Sequence, residues 1–521
     1  MKQLTPISIV APGFFGLNTQ ESSVTVSANY ALVADNCTID KYGRLGARKG
    51  WTMQTVTGSS VLGGLYVEGI FEHVNADNTT DILVAGNNKL FLQESNKTLT
   101  DITPGSYTVS ANNWKSATIF DHTLLVQKSQ APLIFTRESG APVLHVESAH
   151  TAHGGPYTPS FGTSYPRDAI AAFGRFWVHD GDTVYWSTDI ADSTFPAFAG
   201  GSSGTLNIAS VLPKNVDVIT ALAVHNNFLI IFCERNIVIY SGADNPLGNF
   251  VLADIIAGVG CVARDSLQGT GGDLLFLSDT GIRSLGRLIQ EKSLPMRDLT
   301  RNVRDDFLDI VNTEIAIAGN LDKVRSVYSE INAFYLISFP SALTTYCLDM
   351  RSPLEDGSAR VTNWIGSKIT AFLRTRDRDV FLGKVNGIGV YDGYSDNGAS
   401  YRMSFFSNFI DMGDVTVKKI LKRINVIAIG GNGQPFVIKS GYDYFGSSFS
   451  YPFVINAGEI FEYGVAEYNI AEYVAGVLID KISAPAQGSG EVIQIGFEAD
   501  VDGKELSVQR IDIFVKTGRI N

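Results

Sequence analysis

One pattern constrains this chain more than any other. Between about residues 61 and 400, an apolar strand, a turn rich in Gly, Asn or Asp, and a second strand ending in an aromatic or aliphatic pair recur along the sequence. The copies read TDILVAGNNKLFL (80–92), HTLLVQKSQAPLIF (122–135), GRFWVHDGDTVYWS (174–187) and NNFLIIFCERNIVIYS (226–241). They continue as GDLLFLSDTGIRSLG (272–286), NAFYLISFPSALTTYCLD (332–349) and RDVFLGKVNGIGVYDG (378–393). A third short strand precedes most of them, as in DAIAAF (168–173), ITALAV (219–224) and KITAFL (368–373). With Val84, Leu125, Trp177, Ile230, Phe276, Leu336 and Phe381 as equivalent points, the steps are 41, 52, 53, 46, 60 and 45 residues. Four-stranded propeller blades repeat every ~40–50 residues, and loop insertions lengthen a step. The alternation in FWVHDGDTVYW is that of a half-buried antiparallel hairpin, with Gly181 supplying the turn. The expectation is a mainly β chain built on a β-propeller of about six or seven blades. The competing arrangement is a large β-sandwich assembly made from similar hairpins.

Composition agrees with many short strands joined by tight turns: the chain holds 51 glycines, 20 tyrosines and 30 phenylalanines. At 521 residues it is long for one ordinary domain, but a propeller packs many small units into one body. One segment breaks the β pattern. In DLTRNVRDDFLDIVN (298–312), Val303, Phe307 and Val311 fall at i, i+4 and i+8, and Leu308 widens the stripe. This predicts an inserted amphipathic helix capped by Thr300 or Asp298, which accounts for the 60-residue step. Beyond about residue 400 longer strands take over, with hairpin turns at Gly430-Gly431 and Asp502-Gly503. The expected organisation is an N-terminal strand-turn-strand arm over 1–60, the propeller over 61–400 and a C-terminal β domain over 401–521.

The search for chemistry returns little. His145, His150 and His153 cluster in HVESAHTAHGG, but beside two glycines and a proline they read as a loop rather than a rigid metal-ligand set. SDTGIRSL (278–285) resembles the Asp-box turn of propeller hydrolases, and Arg175, Arg235, Arg264 and Arg283 are candidates to converge on a central channel. AGVGCVARDS (257–266) has a GxG without the third glycine or the βαβ setting of a dinucleotide site. The acids of DVDGKE fit a hairpin turn better than a calcium loop. No GxSxG, Walker A or HExxH motif occurs. The expectation is therefore no catalytic residue, no cofactor, no metal and no enzyme activity. Cys37, Cys233, Cys261 and Cys347 lie far apart and read as isolated structural thiols. No apolar run reaches the roughly 18 residues of a membrane span. Pro6 and Pro12 interrupt the start before a signal-peptide core develops, so neither a span nor a leader is expected. The formal net charge is 41 − 53 = −12, which disfavours tight wrapping around nucleic acid by phosphate neutralisation. VKKILKR (417–423) gathers Lys418, Lys419, Lys422 and Arg423, and reads as a solvated strand edge before a nucleic-acid patch.

The remaining feature is ALVADNCTIDKYGRLGARKGW (31–51): an apolar stretch ending at Asn36, a turn at Tyr42-Gly43 and a return strand. Arg44 and Arg48, four apart on a strand, share a face, which suits a subunit contact or a pairing with local carboxylates. This stretch, with PGFFGLNTQ before it, resembles the tail nozzle (tail tubular) proteins of short-tailed bacteriophages and the related packaged-DNA stabilisation proteins. Asn36, Gly43, Leu45, Arg48 and Gly50 fill the pattern. The passages LIIFCERNIVIYSG, AGVGCVARDSLQGTGGDLLFLSDTGIRSL and DMGDVTVKKILKRI extend the resemblance over nearly the whole chain.

The resemblance implies a structural virion protein of the tail, assembled in the host cytoplasm, with no catalytic residues to carry over. It implies a ring of copies, usually six, below a tail adaptor ring. The ring would be a conduit and gate for double-stranded genomic DNA and would offer surfaces to tail fibres or spikes. An acidic lumen would suit that role, because basic walls retard phosphates. A head-completion or hub protein of the virion is the neighbouring alternative. From another class, a propeller glycan-acting enzyme or a carbohydrate-binding module remains open.

Overall fold

The computed structural model describes residues 5–23, 26–54, 60–105, 107–109, 113–128, 130–138, 140–146, 165–190, 197–198, 201–212, 217–244, 250–290, 298–456, 458–460 and 477–518. Six antiparallel blades of four strands stand in a ring. The first runs through Val67–Val74, Thr80–Gly86, Lys89–Gln93 and Leu99–Asp101, and the second spans 115–146, the third 168–207 and the fourth 219–257. A three-stranded sheet (Gln268–Gly269, Leu274–Ser278, Gly281–Ser284) follows, then a fifth blade over 325–365 and a sixth over 372–390. The fold is thus mainly β and a β-propeller. Most seams between neighbours are separate apolar clusters, which is what fixes the ring; the seam between the three-stranded sheet and the fifth blade, with Leu275 and Ile282 against Tyr335 and Ile337, runs on into the core of the C-terminal strands. Phe71 and Leu83 meet Leu125 and Phe135 at one seam; Ala371 and Phe381 meet Ile70 and Val84 at the seam that closes it.

Closure needs one strand from elsewhere. Thr52–Met53 pairs antiparallel with Gly387–Val390 as the fourth strand of the sixth blade. A ring sealed by a strand distant in sequence cannot unroll without breaking that ladder, which is why the N-terminal arm does not stand apart.

The arm also reaches the C-terminal region. Tyr30–Asp35 lies between Arg360–Ile365, the last strand of the fifth blade, and Tyr401–Ser407. It thereby fuses that blade with the C-terminal strands into a ten-stranded sheet. A second, eight-stranded sheet carries the hairpin Cys37–Ile39/Leu45–Ala47 on Leu506–Thr517, with Thr5–Val10 on the same strand. The two sheets share one apolar core in which Phe405, Phe436 and Phe497 meet Ile424, Val426 and Ile511. Strands therefore cross both expected boundaries, at 60 and at 400.

The inserted helix forms over Arg304–Ala316 after a turn of 3-10 helix at Arg301–Val303. Its predicted stripe holds: Val303, Phe307 and Val311 are buried, and Phe307 packs edge-on against Phe339 and Tyr346. The predicted cap does not. Neither Thr300 nor Asp298 caps the helix: the Thr300 hydroxyl accepts from the Ile282 N–H, and Asp298, which is buried, pairs with Arg304 at 3.1 Å. The demand of the neighbouring sheet edge outweighs the local cap.

Candidate functional site at the propeller axis and the joint beside it

The innermost strand of each blade begins near the ring axis, and several begin with a charge. Lys115, Asp168 and Arg325 open the first strands of the second, third and fifth blades. Arg264 and Asp265 occupy a 3-10 turn ahead of the three-stranded sheet. The Arg264 guanidinium donates to the carbonyls of Trp114 (2.9 Å) and Arg167, so it spans from its own sheet to the second and third blades. Asp265 answers three cations: Arg264 at 2.6 Å, Arg325 at 3.1 Å and Lys115 at 3.6 Å. Burial alone would raise the Asp265 carboxyl, but these cations hold it well below the usual carboxylate range. Asp168 is buried and burial pushes its carboxyl up; its Oδ2 accepts the Leu222 N–H at 2.7 Å. A buried network of this kind fixes the relative placement of blades more than it adds stability.

One member of this cluster, Arg264, is legible in the sequence as a candidate to converge on a central channel with Arg175, Arg235 and Arg283. Those four do not converge. Arg175 holds Ser187 O, Ser202 and Asp189 inside the third blade, Arg283 holds Ser278 and Thr280 within its hairpin, and Arg235 is exposed. The cluster draws on residues far apart in sequence, so the adjacency of Arg264 to Asp265 was the one local hint. In AGVGCVARDS, Gly260 has a packing reason: a Cβ there would sit 2.2 Å from the Cys233 carbonyl oxygen.

The second constellation surrounds Arg48. Its side chain is about 4% exposed and forms a bidentate pair with Asp396, at 2.8 and 2.7 Å. It also donates to Asn36 Oδ1 at 2.9 Å and to the Lys49 carbonyl at 3.0 Å. The guanidinium lies over the Tyr401 ring at 4.1 Å, and the Tyr401 hydroxyl donates to the Arg48 carbonyl. Asn36, at φ +54°, accepts in addition from the Ile365 N–H and donates to the Arg402 carbonyl. Asn36 and Lys49 of the arm, Trp364 of the fifth blade, Asp396 from the segment after the sixth blade and Tyr401 of the C-terminal strands meet on this one side chain. Of the two roles read for the arginines, Arg48 has carboxylate pairing inside its own chain. Arg44 does too, more loosely: it sits 4.0 Å from Asp40 and lies over the Tyr42 ring at 4.3 Å, part exposed.

The turn ahead of both arginines is built by Asp40, whose Oδ1 accepts from the N–H groups of Tyr42 (2.8 Å) and Arg44 (2.9 Å), with Gly43 at φ +72°. A Cβ on Gly43 would fall 2.4 Å from Pro12, and one on Gly50 would fall 1.9 Å from the Ser395 carbonyl oxygen. Leu45 is fully buried. Beside the joint, buried Lys384 donates to Ser367 Oγ at 2.5 Å and lies 4.8 Å from the Trp51 ring; burial lowers its ammonium to about 8.

Other sequence candidates settle as follows. His145 lies on the strand Ala141–Val146 with Nε2 2.7 Å from Glu138; His150 and His153 lie outside the described residues. Cys37, Cys233, Cys261 and Cys347 are all buried free thiols. Lys418 to Arg423 is not an edge. Its strand, Lys419–Gly430, is paired on both sides, Lys419 is buried, and Arg423 stacks on Phe514 at 4.4 Å. Among the described residues, no helix is long and apolar enough to cross a membrane.

Solved structures similar to this chain include YCF48 bound to D1 peptide (11% identity, 71% of this chain and 99% of that one, TM-score 0.37). They also include the Pan2 WD40 domain of Neurospora crassa (8%, 69% and 96%, 0.38) and the Cps50 (Swd1) β-propeller domain of Myceliophteria thermophila (10%, 62% and 97%, 0.36). At such identities and scores the likeness concerns fold and says nothing of function. No family profile and no curated protein matches the sequence.

Proposed function

We propose that this chain is a structural virion protein: the distal ring, or nozzle, of a short bacteriophage tail. Copies associate head to tail into a closed ring, six being the expected number. One observation carries the reading. Of the positions on which the resemblance rests, Asn36, Leu45, Arg48 and Gly50 serve the joint between propeller and C-terminal sheets, while Gly43 closes the arm's own turn against Pro12. A motif spent largely on a joint rather than on a reaction suits a protein that works by holding a rigid shape within an assembly. Heterologous contacts between rigid bodies close into rings when the rotation per copy divides a full turn.

The axial ion cluster adds a geometric condition. Arg264 reaches from its own sheet to the second and third blades, so on this reading the DNA conduit would be the central opening of the ring of copies and not the axis of each propeller. Adaptor ring, tail fibres and double-stranded DNA are the partners on this reading, and the chain is not an enzyme. Electron microscopy of the purified protein and of virions tests it. A sixfold ring at the tail tip is the expected image. A strict monomer absent from virions that cleaves or binds host glycans would overturn the proposal, and a ring at the head–tail junction would move it to a head-completion role.

A further inference from the structure

Beside the axial cluster the propeller holds a cavity of about 260 Å³, at the small end of ligand clefts. It opens where three blades begin. Tyr66 and Glu68 belong to the start of the first, Lys323 and Arg325 to the fifth, Lys368 and Thr370 to the sixth. Three cations line it against the single carboxylate of Glu68, in a chain of net charge −12. All three are positioned. Lys323 Nζ donates to Asn320 Oδ1 at 2.9 Å, Lys368 Nζ lies 4.6 Å from the centroid of the Tyr66 ring, and Arg325 is anchored by Asp265 and the Val324 carbonyl. Burial raises the Glu68 carboxyl, and the neighbouring Arg325 opposes that shift. Leu65, half exposed, lines the same cavity, and Val385 bridges to Tyr66 beside it.

We infer that this cavity is a docking pocket for an acidic peptide segment: one carboxylate side chain enters between Lys323, Lys368 and Arg325 while a neighbouring aliphatic side chain covers Leu65. Peptide is favoured over nucleic acid on three grounds. The cations converge on one pocket rather than tracking along a backbone. The apolar margin has no counterpart in a phosphate chain. The chain's net charge of −12 repels a polyphosphate more than a few carboxylates. The pocket is a property of one copy, so the assignment stands apart from the ring reading.

The test uses the full chain and fluorescence anisotropy with a short labelled peptide of alternating Glu and Leu. Controls are its Gln/Leu counterpart, a labelled single-stranded DNA oligonucleotide, and inorganic phosphate as competitor. The Glu/Leu peptide should bind and weaken with added salt, and the Gln/Leu peptide should bind at least about fivefold less tightly. Lys323→Glu and Lys368→Glu should each weaken binding about fivefold, while Lys418→Glu, far from the pocket, should leave it unchanged. Thermal melting of each variant separates lost binding from lost folding. Binding unchanged in both Lys323→Glu and Lys368→Glu, equal affinity for the Gln/Leu peptide, or preference for the oligonucleotide would each overturn the inference, as would full displacement by phosphate at equimolar concentration.

Discussion

Replacing Arg48 by Met keeps most of the side-chain volume and removes the charge on which the joint is built. Four hydrogen bonds go with it: two to Asp396, one to Asn36 and one to the Lys49 carbonyl, all between 2.7 and 3.0 Å. Bonds to a charged group contribute about 1.5–3 kcal/mol each, offset by the several kcal/mol that burying the guanidinium costs. Breaking one side of a buried pair costs about 3–5 kcal/mol. Asp396 keeps about 20% side-chain exposure, so water recovers part of its hydration and the estimate falls to about 3 kcal/mol. The assay is urea unfolding followed by tryptophan fluorescence, because Trp364 lies within 5.8 Å of the guanidinium and reports the joint directly. Asp396→Asn and the double variant complete a cycle whose coupling should reach about 2 kcal/mol. A loss under about 1 kcal/mol for Arg48→Met, or strict additivity in the cycle, would refute the claim that this side chain holds propeller and C-terminal sheets together.

Buried Lys384 supplies a pH test. Its ammonium falls from the ordinary 10.5 to about 8, so the unfolded chain binds the extra proton between those values and stability rises as pH climbs from about 8 to 10.5. Lys384→Met should add about 1–2 kcal/mol at pH 7 and lose that advantage by pH 10.5; an advantage that persists at high pH would contradict the burial argument. At the acid end, burial lowers the imidazolium of His179 to about 3 from 6.5. Stability held above pH 6.5 is therefore lost as pH falls towards 3, and His179→Leu should flatten that limb in acid titrations followed by circular dichroism. Gly50→Ala should destabilise by about 3 kcal/mol or more, since its Cβ has 1.9 Å to a carbonyl oxygen. Gly398→Ala, at φ +85° in open space, should cost only about 1 kcal/mol, and equal thermal shifts for the two would argue against a tight approach at Gly50. Met53→Pro removes a donor and a pairing residue from the strand that seals the sixth blade, and proteolysis should then open the ring between 54 and 67.

Periodicity pointed to the propeller, with a β-sandwich assembly of similar hairpins as the alternative that the structure set aside. A spacing of hairpins near blade length, with apolar residues alternating along each, leaves few other ways to bury the strands, and the helix stripe at Val303, Phe307 and Val311 was equally local. The turn at Tyr42-Gly43 was legible for the same reason: Asp40 and a glycine within four residues specify it. What the sequence could not give was partnership between segments hundreds of residues apart. Thr52–Met53 sealing the sixth blade, Tyr30–Asp35 fusing the fifth blade to the C-terminal strands, and Asp396 meeting Arg48 depend on ring closure, which no local pattern encodes. The axial cluster is the clearest case. Apart from Arg264, a channel candidate, its members Lys115, Asp168, Asp265 and Arg325 carry no signal when read singly. Only the radial arrangement of blades points their strands at one axis, where low dielectric and close approach turn scattered charges into a network.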